Sequence, residues 1–239
     1  MNWRAWVADR ARLTSLAARQ LAGRRFWLVP LAVLAWPAFQ ALRLAVGWQE
    51  SRFLPEAAQG SLIGAPLAVL AAVLGVRIIA GEIDRRTLEI AYTVPGGAHR
   101  VWTAKLTAAV GLVLAAEAVL ALVAFALFTA FPASALYGAF QGAAVYLALA
   151  LALSTWFRSE VAGLLATTVI LFMNGLITGW GESQLRVSPF WNPAAVDAAA
   201  EPAEILAWTI QNRIGMTLLF AALIALSYAR AERRERLLG

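Results

Sequence analysis

Apolar residues run along this chain in blocks at about 28–46, 61–80, 106–131, 136–157, 161–180 and 213–230, each bounded by charge or by proline and glycine. A helix rising 1.5 Å per residue needs about 20 residues to cross a hydrocarbon core, and the blocks have about that length. A backbone facing lipid must satisfy its own hydrogen bonds. The pattern therefore predicts an all-α membrane protein with six spans in a single transmembrane domain. An even number of spans puts both ends on one side. Of the 20 lysines and arginines, only Arg43, Arg52, Arg186 and Arg213 then fall on the other side. Orientation follows the Lys/Arg bias, so both ends are expected in the cytoplasm. The first block follows a basic stretch, as in a signal peptide, but it carries Pro30 and Pro37 and precedes five more spans. It reads as a retained span.

Composition agrees with that class. The 239 residues are 61% hydrophobic and 14% charged, with a mean hydropathy of +0.69, more apolar than soluble domains. There is no cysteine, and His99 is the one histidine. Disulfides, thiol nucleophiles and Cys/His clusters for zinc or haem are excluded, and no metal site is expected. A net charge of +6 would raise nucleic-acid binding in a soluble protein. Here the basic residues follow the topology, and no nucleic-acid partner is expected.

Ahead of the first span, residues 3–21 plot as a helix with Trp3, Trp6, Val7, Leu13, Ala17 and Leu21 on one side and Arg4, Arg12, Ser15 and Arg19 opposite. Such a helix, within a leader of residues 1–25, suits the membrane interface, with guanidinium groups towards anionic lipid. Arg10 falls on its apolar face, and a solvated basic leader is the alternative. The longest outer segment, 181–212, contains Ser188-Pro189-Phe190-Trp191-Asn192-Pro193. Two prolines around aromatic residues predict a turn between short segments at the outer interface.

The cytoplasmic link between the second and third spans is the most informative stretch. At 100° per residue, Ile83, Thr87, Ile90 and Ala91 share a face, while Asp84, Arg85 and Glu89 point elsewhere. Residues 82–95 read as a short amphipathic helix ended by Pro95-Gly96-Gly97, before a basic re-entry through Arg100 and Lys105. A charged helix between two spans can dock a cytoplasmic partner, with salt links fixing orientation and the apolar stripe supplying contact. It can equally be an interfacial loop that anchors helix ends.

Glu82 followed by Thr87-Leu88-Glu89, then Pro95, Arg100 and Ala104-Lys105-Leu106, resembles the signature of permease subunits of ABC-2-type ATP-binding-cassette transporters. In that family a coupling helix joins the second and third spans. Its form is Glu, a few residues, Gly-Thr-Leu-Glu, then Pro, Arg and a Lys-containing start to the third span. The resemblance is densest over 82–106 and extends loosely along the chain through the six spans, the leader and the Arg158-Ser159-Glu160 link. One position departs: Arg86 stands where the family has glycine. The resemblance implies that Glu82, Ile83, Arg85, Arg86, Thr87, Leu88, Glu89, Pro95 and Arg100 meet cytoplasmic ATPase subunits. It also implies a second permease subunit, identical or paralogous, and a place in a bacterial plasma (inner) membrane among lipids. Lys105, the one lysine, lies between Ala104 and Leu106, so the chain has no Gly-Lys-Ser/Thr phosphate cradle. ATP and Mg²⁺ are expected in the partner, with no cofactor and no enzyme activity in this chain.

Ionisable residues at membrane depth are functional candidates. Glu117 falls roughly 18 Å from the inner end of the third span, and Tyr146 and Asn174 come to similar depth on the fourth and fifth. The three are expected to form a polar layer that binds cargo or closes a pathway. The alternative is a hydrogen bond between helices made by a neutral Glu117. Arg77, Arg43 and Arg213 read as snorkelling side chains, and Gly138 and Gly142 as ordinary close packing of small residues. An ATP-driven exporter subunit is the leading expectation. A self-contained secondary transporter or channel with Glu117 as its proton-linked group is the alternative. An intramembrane enzyme is disfavoured, because His99 lies at the interface and no second histidine exists for a Ser/His dyad.

Overall fold

The computed structural model describes residues 3–49, 53–93, 97–178, 185–196 and 200–233. Among them every regular element is helical. In chain order these are α1 (Trp3–Ala22), α2 (Phe26–Ala45), α3 (Pro55–Val76), α4 (Ala80–Asp84), α5 (Leu88–Thr93), α6 (Ala98–Leu127), α7 (Ala133–Phe157), α8 (Glu160–Ile177) and α9 (Pro202–Glu232). Helices α2, α3, α6, α7, α8 and α9 are long and apolar enough to cross a membrane. A 3₁₀ turn, Pro193–Ala195, lies in the segment before α9.

Prolines shape several boundaries. In α2 the helix breaks after Ala32 and resumes at Ala35. Pro37 has no N–H to offer Val33, whose carbonyl instead accepts from Trp36 at 3.1 Å. Helices α3 and α9 carry Pro55 and Pro202 in their first turns, where a missing N–H costs nothing. Within α3, residues Ala58–Gly64 form wide π-helical turns just ahead of Pro66. A proline ring crowds the carbonyl four residues back, and widening the turn relieves this.

Helices α3 and α7 form the centre, and α7 also packs against α8, α9 and α6. Their approach is set by small residues: a Cβ on Gly75 would lie 2.4 Å from the Leu147 carbonyl oxygen. Helix α6 lies against α1, α2 and α3. Its buried face, Ala109, Leu112, Val113, Ala116 and Leu120, carries the main apolar core with Leu67, Ala71, Leu74, Leu147 and Leu151.

Several boundaries differ from expectation: α3 begins at Pro55 against the expected 61, and α6 at Ala98 against 106. The sixth span was expected at 213–230, yet α9 begins at Pro202, so the helix takes the last third of the expected outer segment 181–212. Polar residues Gln211, Asn212 and Arg213 interrupt hydropathy there without interrupting a backbone whose hydrogen bonds are internal. The expected single helix over 82–95 is two short helices, α4 and α5, with a turn between them. Helix α1 does form over Trp3–Ala22, ending at Gly23 with φ +81°. Its Ala17, Ala18 and Leu21 are buried in the protein core, so this part of its apolar face meets protein and not lipid.

Candidate functional site

The turn between α4 and α5 ends the first helix with paired bonds of opposite reach. Thr87 N–H donates to the Glu82 carbonyl at 2.9 Å and Arg86 N–H to the Ile83 carbonyl at 3.0 Å. This is a Schellman closure, which requires a left-handed residue, normally glycine, at the place Arg86 occupies. Arg86 has φ +57°. A Cβ in that conformation costs about 1 kcal/mol or more, while glycine is freer in the unfolded chain. Arg86→Gly is therefore expected to raise stability by about 0.5–1 kcal/mol, and Arg86→Val to lower it. Denaturant unfolding in detergent measures both.

The link divides cleanly into a buried and an exposed set. Asp84, Arg85, Arg86 and Glu89 are exposed, Ile83 and Thr87 are half-buried, and Glu82 and Leu88 are buried. Glu82 Oε1 accepts from Lys105 Nζ at 2.7 Å, and its Oε2 accepts from Trp102 Nε1 at 3.4 Å. Lys105 Nζ also lies 3.4 Å from the Ile78 carbonyl. Leu88 belongs to the main core, with Ile83 packed against it. Glu82 is turned inward onto α6, and Ile83 and Leu88 pack against the bundle. Burial of a carboxylate demands a counter-charge, and Lys105 supplies it.

Further bonds tie the link to other helices. Asp84 Oδ2 accepts from the Glu160 N–H at 2.9 Å, which places a carboxylate at the N-terminus of α8. Glu160 Oε2 lies 3.7 Å from Arg77 Nε. Arg77 Nη1 donates to the Leu21 carbonyl at 2.7 Å, closing the end of α1, so Arg77 does more than snorkel. On α5, Tyr92 donates to the Ala231 carbonyl near the end of α9. Its ring meets Trp102 edge-on at 6.1 Å, and Trp102 lies 5.7 Å from Tyr228. The link is thus fastened to α6, α8 and α9 at once. Arg100 pairs with Asp9 on α1 at 3.3 Å. Pro95 lies outside the described residues, as do the side chains of Ile90 and Ala91.

At the other end of the bundle, residues 185–196 fold inward. Phe190 stacks on Tyr146 with ring centroids 5.7 Å apart. A Cβ on Gly142 would come within 2.3 Å of the Phe190 ring, and one on Gly64 within 2.9 Å. Gln59 Nε2 donates to the Trp191 carbonyl at 2.7 Å and to that of Phe190 at 3.2 Å. A Cβ on Gly138 would strike the Gln59 amide. Asn192 Nδ2 donates to the Glu56 carbonyl at 3.0 Å. Asn212 Nδ2 donates to the carbonyls of Arg186 and Ser188 at 2.8 and 2.9 Å. Trp191 Nε1 reaches Thr209 Oγ1 at 3.0 Å.

The expected polar layer is therefore redrawn. Asn174 lies in the last turn of α8, at the end of the span and not its middle, and accepts from Ser188 Oγ at 3.2 Å. Tyr146 and Asn174 converge on the 185–196 segment, through Phe190 and Ser188. Glu117 stays apart on α6, buried, with Oε1 lacking a hydrogen-bond partner. Gly138 and Gly142 are notches for Gln59 and Phe190, beyond simple helix packing. Gln59, Gln141, Asn192 and Asn212, all buried, were not singled out by sequence. The signal available was the cost of placing four amides in or beside apolar spans.

No protein-family model, curated protein or solved structure matches this chain.

Proposed function

We propose that this chain is the permease subunit of an ATP-binding-cassette exporter, coupled through residues 80–93 to separate ATPase subunits. The observation that carries the reading is the division of the link. Asp84, Arg85, Arg86 and Glu89 face outward, while the same short segment is bonded to α6, α8 and α9. A push on the exposed charges is handed directly to three helices, as a coupling device requires. The left-handed conformation of Arg86 supports the resemblance to the ABC-2 signature, because it gives a physical reason for the glycine usual there. In this reading both ends of the chain and the link are cytoplasmic, in a bacterial inner membrane. A second permease subunit completes the pathway, and ATP and Mg²⁺ act in the partner.

The experiment is purification of the tagged chain from its native host in mild detergent. A stoichiometric ATPase is expected to co-purify. Combined reversal of Arg85, Arg86 and Glu89 is expected to abolish that association without changing the unfolding midpoint, because the three are exposed. A chain that purifies alone and moves solute in liposomes without ATP would overturn the reading. That result would favour a self-contained transporter, for which the buried, unpartnered Glu117 Oε1 is the supporting observation. Glu117→Gln would then be expected to abolish transport.

A further inference from the structure

Helices α6, α7 and α9 enclose a groove of about 380 Å³ lined by Val110, Phe140, Ala144, Val145, Met216 and Phe220. Its few polar groups gather towards one end. Thr217 spends its hydroxyl on the Arg213 carbonyl within α9, at 2.8 Å. Tyr137 and Gln141 also line the groove, and the Arg213 guanidinium lies over the Tyr137 ring, 4.7 Å from its centroid. Tyr137 is four residues from the start of α7, which puts the guanidinium roughly 6 Å from that helix end, at headgroup depth.

Arg213 Nη1 is buried without a hydrogen-bond partner. Among the described residues no carboxylate lies within ion-pair distance of it. Asn212 must turn its NH₂ to the Arg186 and Ser188 carbonyls, so its Oδ1 accepts from Gln141 Nε2 at 2.9 Å. Gln141 Oε1 then remains buried without a donor. A cation without a carboxylate partner among the described residues, beside the end of an apolar groove, matches an anion that carries a hydrocarbon tail.

We infer that this groove binds an anionic phospholipid, its phosphate on Arg213 and one acyl chain along α6, α7 and α9. The volume accommodates an acyl chain. The flanking side chains Leu114, Ile214 and Leu218 are exposed and apolar, so the surrounding surface is the lipid side. The site owes nothing to ATP coupling and stands whether or not the chain is a permease.

The test is native mass spectrometry of the delipidated chain titrated with phosphatidylglycerol or phosphatidylcholine. The unaltered chain is expected to retain phosphatidylglycerol about tenfold better, a preference of the size expected from one charge-assisted contact. Arg213→Gln should erase the preference and Arg213→Lys should restore most of it. Ala144→Phe, which fills the groove, should reduce retention of both lipids. Equal retention of the two lipids by the unaltered chain overturns the inference without reference to any variant. Unchanged preference in Arg213→Gln also overturns it, as does an Ala144→Phe chain whose oligomeric state changes while its lipid retention does not.

Discussion

Lys105→Met is expected to lower the stability of the folded chain by about 3–5 kcal/mol, the usual loss when one partner of a buried ion pair is removed. Both side chains are nearly inaccessible, 6% and 10% exposed, and their 2.7 Å contact joins the end of α4 to the start of the third span. Without Lys105 the Glu82 carboxylate keeps only the Trp102 indole N–H as its side-chain donor. The discriminating comparison is Lys105→Met combined with Glu82→Gln. The amide retains an acceptor for Trp102 and removes the orphaned charge, so the double variant should regain most of the loss. Denaturant unfolding in one detergent at one salt concentration measures the cycle. If the losses simply add, the pair is not what holds this junction.

Gly142→Leu is expected to cost about 3 kcal/mol or more. Its Cβ alone would fall 2.3 Å from the Phe190 ring, and the ring is held by Tyr146 behind it, so Phe190 has to leave. The loss is then that of unburying an aromatic side chain, similar to Phe→Ala in a core. Phe190→Ala alone should destabilise by a comparable amount, and added to Gly142→Leu it should change little further. Full additivity would place the damage elsewhere. Gly142→Ala is expected to be damaging as well, because the conflict begins at the first carbon.

Hydropathy made the six spans legible because hydrocarbon imposes length and apolarity on any helix that crosses it. It made the start of α9 illegible. Thr209, Asn212 and their polar neighbours read as the approach to a span, while Thr209 and Asn212 are buried or half-buried acceptors and donors for a segment that comes earlier in the chain. Glu82 and Lys105 were visible as a motif. Their mutual bond was not, because a helical face says which residues share a side and not what that side meets. Arg86 is the reverse case: it was noted as a departure from glycine, and its φ of +57° explains why glycine suits the position. Gln59 was beyond reach of local reasoning, since its partners Phe190 and Trp191 are 131 and 132 residues away. Glu117 stands out in the sequence as an ionisable residue deep in the third span; it is buried, and its expected neighbours lie with the 185–196 segment.

The two ends of the bundle are held by different chemistry. The link and its surroundings rest on ions, Glu82 with Lys105, Arg77 with Glu160 and Arg100 with Asp9. The hydrogen bonds that seat residues 185–196 come from neutral amides, hydroxyls and an indole. Screening by salt weakens attraction between charges, above all exposed ones, and leaves neutral hydrogen bonds almost untouched. Ionic strength can therefore weaken the ion pairs around the link while leaving in place the hydrogen bonds that seat residues 185–196.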